Sequence, residues 1–314
     1  MSRQYHIATV VLNYNSASDV EVLLPQLLAQ VGVKHTVIIV DNESSVVDVH
    51  RLADCFSRNC VEGIVGTPAE VDVKITSQIQ DSGAYLVLSN ENRGYSAGNN
   101  IGIRVAEALE ADAVLIANPD IRIEDSNYLM GLSQELFTDE KNCIVASRVV
   151  GLDGQDQSPL REPEFWEEFL WPRFSLGRHL SRPVSYILPI LEREPMVVPK
   201  VSGCCLMLSL KFLKTVGKLD ENVFLYCEEP ILSAQVYKQH GHIIFVPELT
   251  VTHAHQKSKK GHASRNMLLF IKSRKYYLKH YSSYGVVKRS ALYTSYSTLR
   301  LLHFIKLLWN KAVC

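Results

Sequence analysis

The fold is decided by residues 86–100, which read Leu-Val-Leu-Ser-Asn-Glu-Asn-Arg-Gly-Tyr-Ser-Ala-Gly-Asn-Asn. An apolar run, Tyr85–Leu88, has the length of a buried strand, and a helix-like run, Ile101–Leu109, follows the stretch. Between them, Gly94 and Gly98 let the backbone turn sharply and come close to a ligand. The two asparagines that end the stretch favour a helix start, whose free N–H groups attract anions. Alone, the pattern fits both a phosphate or nucleotide site and an ordinary capped turn.

Three further apolar runs in this half of the chain also end in polar side chains. They are Ile7–Leu12 before Asn13, Val37–Val40 before Asp41, and Ala113–Ile116 shortly before Asp120. Such strands alternating with helix-like segments predict an α/β fold with a mostly parallel sheet covered on both faces. Ligands of these sheets bind beyond the carboxyl ends of the strands. Because Asn13, Asp41 and Asp120 all follow strands, a nucleotide site is favoured over a set of unrelated capped turns.

Charge is distributed unevenly along the chain, although the 314 residues carry no net charge. After Glu248 there is no acid but 13 Lys and Arg, whereas the preceding part has 20 Lys and Arg against all 33 acids. Such a basic tail predicts an anionic partner, such as a membrane surface. No nucleic acid is expected as a partner. With 46% hydrophobic and 21% charged residues, the class is soluble and globular, as one large α/β domain or two small ones.

The cysteines and the N-terminal sequence indicate in which cellular compartment the protein is expected. The seven cysteines are odd in number and form no CxxC pair, which fits reduced thiols in a cytoplasmic protein. Neither a signal peptide nor a run of 18 apolar residues is present. Any membrane contact is therefore expected to be peripheral, at the inner face of the cell membrane.

A proline-rich segment, residues 155–199, lies in the second half of the chain. Its seven prolines predict no long helix or strand, and its aromatic residues require burial or a partner. A lid or an acceptor-side surface is one interpretation of these aromatic residues, and packing against the domain is the favoured one.

Two acids precede a predicted helix in the second half. Pro230 suits the first turn of a helix, which places Glu228 and Glu229 at a positively polarised N-terminus. Plain helix-start acids are the alternative. Further on, the last strand ends in Thr252-His253-Ala254-His255.

Together these motifs resemble the family 2 glycosyltransferases, particularly the rhamnosyltransferase-like and capsular polysaccharide branch. The matching segments, in order, are Val10–Asn15, Val40–Ser44, Asn92–Asn100, Asn118–Asp120, and Phe224–Glu229 followed by His253. Order and spacing make this resemblance far more specific than any one motif. It covers roughly residues 5–256.

The resemblance implies a GT-A domain over residues 1–256. Residues 1–125 would form its nucleotide-sugar-binding half and residues 126–256 its acceptor and catalytic half. Residues 257–314 would then form basic amphipathic helices. These helices fit an anionic membrane interface, and equally packing on the domain or a homodimer contact.

The implied activity is an inverting transfer of a sugar, rhamnose being one candidate, from a nucleoside diphosphate sugar to a lipid-linked or polysaccharide acceptor. The implied donor-binding residues are Asn13, Asp41, Asn92, Arg93, Gly94, Gly98 and Asn99. Glu229 takes the place of the catalytic base and Glu228 that of its neighbour. Mg²⁺ or Mn²⁺ is expected at Asp120 and His253, with His255 as a weaker candidate.

Two positions depart from the family pattern. Asn118 replaces the first acid of the metal-binding Asp-x-Asp motif, and Ile231 stands where another Asp is usual. Both departures favour an alternative function, a non-catalytic nucleotide-sugar-binding protein that kept the fold. A dehydrogenase is disfavoured because no G-x-G-x-x-G follows a strand.

Overall fold

The structure of the chain, a computed structural model, describes residues 4–77, 83–176, 186–255 and 263–312. The strands are β1 (His6–Asn13), β2 (Lys34–Asn42), β3 (Ile64–Gly66), β4 (Ala84–Ser89), β5 (Ala113–Ala117), β6 (Ile121–Arg122), β7 (Asn142–Gly151), β8 (Met196–Val197), β9 (Cys205–Ser209) and β10 (His242–His253). The helices are α1 (Ala17–Leu28), α2 (Val46–Asn59), α3 (Pro68–Ser77), α4 (Tyr95–Ala108), α5 (Tyr128–Leu136), α6 (Phe165–Leu176), α7 (Leu210–Val216), α8 (Glu228–Lys238), α9 (Ala263–His280) and α10 (Val286–Ala312).

One sheet contains all the described strands, in the order β3-β4-β2-β1-β5-β9-β7-β10-β6, with β8 paired to β10. The first half is parallel throughout, as the near-continuous apolar strands predict. In its register Asn13 of β1 lies opposite Asp41 of β2. The polar residues that end these two strands are therefore immediate neighbours.

Antiparallel pairing in the second half brings distant segments to the end of β5. Strand β9 pairs antiparallel with β5, which places Cys205 opposite Ala117. Strand β10 pairs with β6 so that His253 lies opposite Ile121. His253 thereby lies next to the Asn118–Asp120 turn.

Helices cover both faces of the sheet, and alternate side chains of each strand enter the two resulting cores. In β1, Ile7 and Val11 pack with α1, α2 and α5. Ala8 and Val10 face the opposite way and pack with α3, α4, α7 and α8. This period-2 alternation, buried on both sides, explains why the strands read as unbroken apolar runs.

A third core joins α6 to α9 and α10. Its fully buried members are Ile271, Leu278, Leu292, Tyr296 and Leu299, packed against aromatic residues of α6 that include Phe165 and Phe169. Much of the apolar side of the basic extension therefore packs within the chain. Residues 257–262, predicted to begin that extension, lie outside the described residues. Among the described helices, none is both long and apolar enough to cross a membrane.

Helix α6 contradicts the expectation that residues 155–199 hold no long helix. Its 12 residues follow Pro163, and seven of them precede the next proline, at position 172. Phe165 and Phe169, four residues apart, stack with ring centroids 5.8 Å apart. Burial of this aromatic face against α9 and α10 outweighs the unfavourable local sequence.

Candidate active site

Asp120 and His253 lie together, and His255 joins them. Asp120 Oδ1 lies 3.3 Å from His253 Nε2, and Asp120 Oδ2 lies 3.2 Å from His255 Nδ1. One ligand atom from each residue lies within 4.8 Å of the others. The β10–β6 pairing causes this meeting, since it sets the end of β10 beside the turn after β5.

A hydrogen bond to Gln157 fixes the orientation of the His253 ring. Its Nδ1 lies 2.7 Å from Gln157 Oε1, an acceptor, so this ring nitrogen carries the donated proton. The other ring nitrogen, Nε2, is the one that faces Asp120. Metal-binding histidines in proteins are usually held by such a second hydrogen bond.

A carboxylate and two imidazoles fit a divalent cation. Burial alone would raise the pKa of Asp120, but the hydrogen bonds from His253 and His255 outweigh burial and hold this pKa below its usual value. The carboxylate is therefore ionised, as a metal ligand must be. Because Mg²⁺ strongly prefers oxygen ligands, the two imidazoles favour a transition-metal ion such as Mn²⁺.

A strained turn presents Glu228 and Glu229 at the start of α8. Tyr226 and Cys227, directly before them, have φ angles of 72° and 70°, in the left-handed region that non-glycine residues rarely adopt. Each such residue costs on the order of 1–3 kcal/mol, and strain of this kind concentrates at functional sites. The turn lets the chain reverse and begin α8 with both acids.

The two acids have different surroundings. Glu229 Oε1 accepts a hydrogen bond from the backbone N–H of Gly203 at 3.3 Å. Glu228 Oε1 is buried and has no partner among the described residues. Burial, reinforced by the neighbouring charge of Glu229, raises the pKa of Glu228 to about 8.

Both acids line a cavity of about 610 Å³, and His253 lines it too. Tyr95 also lines this cavity. Its hydroxyl lies 3.1 Å from Asn118 Oδ1 and 2.9 Å from the Gly203 carbonyl oxygen, two other groups of the cavity wall. Burial raises the pKa of Tyr95 well above its ordinary value, which keeps the phenol protonated as a donor. The candidate base and a candidate metal ligand thus share one cavity.

Asn13 and Asp41 form a buried polar pair at the ends of β1 and β2. Asn13 Nδ2 donates to Asp41 Oδ1 at 2.9 Å and to Asp48 Oδ2 at 2.8 Å. Asp41 Oδ2 also accepts from the backbone N–H of Ser44 at 3.1 Å. These bonds fix the two strand ends relative to each other, and the donor-binding roles of Asn13 and Asp41 stay predictions.

Asn92 organises residues 92–95, the glycine loop, which leads into α4. Its Oδ1 accepts from the Gly94 N–H at 3.0 Å and from Asn42 Nδ2 at 3.1 Å. Arg93 is 60% exposed in its side chain and lies 3.2 Å from Glu221. Asn99 is fully buried, and its Oδ1 has no partner among the described residues.

Gly94, just before α4, and Gly98, within α4, both have a packing role. Gly94 has φ +104°, and a Cβ there would lie 2.3 Å from the carbonyl oxygen of Phe224. A Cβ on Gly98 would lie 2.5 Å from Leu12 Cδ1. The close approach that the sequence predicts is thus made in part by the protein itself. Gly98 and Arg93 also line a smaller cavity of about 290 Å³.

Several residues of the candidate site were not among the predicted site residues. Tyr95, Gln157 and Gly203 belong to no predicted set, and Phe270, Arg274 and Tyr296 come from the C-terminal helices. Gln157 meets His253 across 96 positions of sequence, a contact that no local pattern encodes. The aromatic residues of 155–199 were the sequence signal for the contribution of the C-terminal helices. Those residues required a packing partner, and α9 and α10 provide it.

Comparison with known proteins gives one curated relative. Over 230 residues the chain is 25% identical to the low-salt glycan biosynthesis hexosyltransferase Agl10 of Haloferax volcanii. The alignment covers 71% of this chain and 59% of the relative, so the chain spans about three fifths of that protein's length. No family model matches the chain.

Solved structures resemble the whole fold at low sequence identity. The mannosyltransferase PcManGT from Pyrobaculum calidifontis, in complex with GDP-Man and Mn²⁺, matches with a TM-score of 0.57 at 14% identity, over 100% of this chain and 77% of that one. GalNAc-T7 with UDP, GalNAc and Mn²⁺ matches with a TM-score of 0.59 at 12% identity, over 100% and 58%. S. aureus TarS 1–349 matches with a TM-score of 0.52 at 13% identity, over 94% and 71%. These likenesses confirm the predicted GT-A fold.

Proposed function

We propose that this chain is a glycosyltransferase that moves a hexosyl group from a nucleoside diphosphate sugar to an acceptor hydroxyl in glycan synthesis. One observation carries the proposal: Glu229 and His253 line the same cavity, at the edge of the sheet where α/β folds bind ligands. The hexosyltransferase relative and the neighbours solved with nucleotide sugars and Mn²⁺ support it.

In this proposal Glu229 is the general base. The acceptor oxygen attacks the anomeric carbon, its proton passes to the Glu229 carboxylate, and the bond from that carbon to the diphosphate oxygen breaks. Attack from the face opposite the leaving group inverts the anomeric configuration. The Gly203 N–H holds Glu229 in place. Because its pKa is raised, Glu228 stays largely protonated near neutral pH and adds little negative charge beside the base.

Asp120, His253 and His255 would hold the divalent cation. A bound cation would neutralise the charge that develops on the departing diphosphate. The donor set fits Mn²⁺ better than Mg²⁺, because two of its three ligands are imidazoles. Asp120 and His253 would act together, since each is already oriented by its neighbours.

Asn13, Asp41 and the Asn92–Asn99 loop would form the donor side of the site. The motif resemblance supports this assignment, as does their position at the carboxyl ends of β1, β2 and β4. The same resemblance keeps a deoxythymidine diphosphate rhamnose type of donor among the candidates.

We also propose peripheral attachment to the inner membrane face, where a lipid-linked acceptor is found. Leu301 and Phe304 of α10 are 59% and 52% exposed, near the basic Arg300. Exposed apolar side chains beside cations suit an anionic interface. Sedimentation with anionic liposomes, weakened by salt and by Leu301→Ser with Phe304→Ser, is expected. Equal pelleting of the double variant would contradict this attachment.

A non-catalytic nucleotide-sugar-binding protein is the second candidate function. The observation that favours it is Asn118, whose Oδ1 contacts the Tyr95 hydroxyl where the family pattern has a metal-binding acid. Such a protein would bind the donor without turning it over.

A donor panel separates these functions. Sugars carried on UDP, GDP and deoxythymidine diphosphate are tested with Mn²⁺ or Mg²⁺, both for thermal stabilisation and for release of nucleoside diphosphate. A bound donor stabilises the fold by mass action. Stabilisation with release supports the transferase, and stabilisation alone supports the binding protein. If no donor produces either effect, both functions fail.

A further inference from the structure

The cavity that holds Glu229 is walled by three parts of the chain. The GT-A core contributes Glu229 and His253, and the proline-rich segment contributes Trp171. Phe270 comes from α9 and Tyr296 from α10. At about 610 Å³, the space is within the usual range for small-molecule sites, about 300–1,000 Å³. The C-terminal helices are therefore part of the same chamber as the candidate base.

Aromatic rings dominate one side of this chamber. Phe270 is central, with its ring centroid 5.5 Å from that of Trp171, 6.1 Å from Tyr226 and 6.3 Å from Tyr296. The four rings come from four separate elements. Aromatic ring faces carry partial negative charge and attract the polarised C–H groups on the flat face of a sugar ring.

The cations in the chamber are already neutralised. Arg274 is 6% exposed, and its Nε lies 2.6 Å from Glu168 Oε1. Lys200 is 9% exposed, and its Nζ pairs with Glu162 Oε1. Among the described lining residues, Glu228 and Glu229 are acids without a paired cation. Away from the proposed cation site at His253, an anionic group placed here would meet carboxylates without a free counter-charge, at the cost of burying an unpaired charge.

Hydrogen-bonding capacity remains on the side of the acids. Glu228 lines the chamber, and its buried Oε1 lacks a partner among the described residues. A buried polar atom in this state gains free energy from a ligand that hydrogen-bonds to it. A sugar hydroxyl can donate or accept, so it suits this atom whether Glu228 is protonated or ionised.

We propose that this chamber, walled by α6, α9 and α10, is the acceptor subsite and takes an uncharged, hydroxyl-rich sugar ring stacked on the aromatic group. The subsite discriminates against acceptors whose terminal sugar carries a carboxylate or phosphate. This inference rests on the proposed function, whose site it completes. It also gives the C-terminal helices a direct role in substrate recognition.

The test uses octyl hexosides as neutral probes and the matching octyl uronides as anionic probes. Binding to the full chain is measured by saturation-transfer NMR and titration calorimetry, without donor. Neutral hexosides are expected to bind at least about tenfold more tightly than uronides. Equal or tighter binding of the uronides would overturn the proposal.

Variants of one helix locate the site. Trp171→Ala should weaken hexoside binding about tenfold, and Trp171→Phe should restore most of the loss. Trp166→Ala is the matched control, because Trp166 lies on the same helix, is 64% exposed and does not line the chamber. Unchanged binding in Trp171→Ala would overturn the proposal. Thermal melting shows whether each variant has folded.

Two further outcomes are decisive. If farnesol, which has no sugar, competes with the octyl hexosides as well as they compete with one another, a lipid chain occupies the chamber and the proposal is wrong. If neutral hexosides bind as expected but no donor is turned over, the chamber stands as a sugar-binding site, and both the transferase activity and the acceptor role fail. Direct binding and donor turnover thus separate the two proposals.

Discussion

The backbone N–H of Tyr95 donates to the carbonyl oxygen of Phe224 at 2.8 Å. This bond joins the glycine loop to the segment that carries Glu228 and Glu229. Gly94 lies against this contact, since a Cβ added to it would lie 2.3 Å from the Phe224 carbonyl oxygen. The two motifs therefore form one structural unit, although 129 positions of sequence separate these residues.

Gly94→Ala tests this contact. The substitution should cost about 1 kcal/mol for the positive φ and a further 1–3 kcal/mol for overpacking against Phe224. Gly154→Ala is the control, because Gly154 has φ +75° and no atom within 4 Å of its added Cβ. Urea unfolding measures both variants. Equal losses of stability would show that the Phe224 contact contributes nothing.

Glu229→Gln tests the base. The transfer rate constant should fall about 10²- to 10⁴-fold, the usual contribution of a general base, because the amide cannot take the acceptor proton. Donor affinity, measured by thermal shift, should change little. Glu248→Gln on the exposed part of β10 is the control. A variant that retained more than a tenth of wild-type activity would exclude Glu229 as the base.

Gln157→Leu tests the support behind His253. The variant removes the acceptor that fixes the ring, so Mn²⁺ affinity should fall about 10- to 100-fold. Titration calorimetry measures this affinity directly, without any turnover assay. Gln155→Leu, at an exposed position two residues away, should bind Mn²⁺ as the wild type does. Identical affinities in the two variants would remove Gln157 from the metal centre.

Glu228→Gln tests the raised pKa. With a folded-state pKa of about 8 and an ordinary value of 4.5, Glu228 holds its proton in the folded chain over a range where the unfolded chain releases it. Wild-type stability should therefore fall as the pH rises from about 4.5 to 8. The variant has no carboxyl group at this position and does not lose stability in this way. The Tm of the variant minus that of the wild type should therefore be larger at pH 9 than at pH 5. A Tm difference that is the same at both pH values would contradict the burial of a protonated acid.

The sequence predicted most of the sheet and the proximity of Asp120 to His253. Apolar runs that end in polar residues placed β1, β2, β4 and β5 correctly, since buried parallel strands leave that pattern. Asp120 and His253 were expected together, and the β10–β6 pairing brings them together. The prediction depended on the order of the motifs along the chain, because a histidine at the end of a strand does not by itself indicate a metal site.

Features that depend on distant packing were not predictable in the same way. Tyr226 and Cys227 adopt left-handed backbone conformations that neither residue type favours locally. Helix α6 forms in a proline-rich segment because α9 and α10 bury its aromatic face. Both depend on tertiary contacts that span tens to more than a hundred residues.

Arg274 and Glu168 are 106 positions apart, yet each has its charge buried against the other. A ribosome adds about 5–20 residues per second, so Arg274 is synthesised on the order of seconds after the last strand of the sheet. During that interval the strands of the sheet have been synthesised while Glu168 lacks its counter-charge. The chamber beside Glu229 is thus walled in part by residues that are synthesised after every described strand of the sheet.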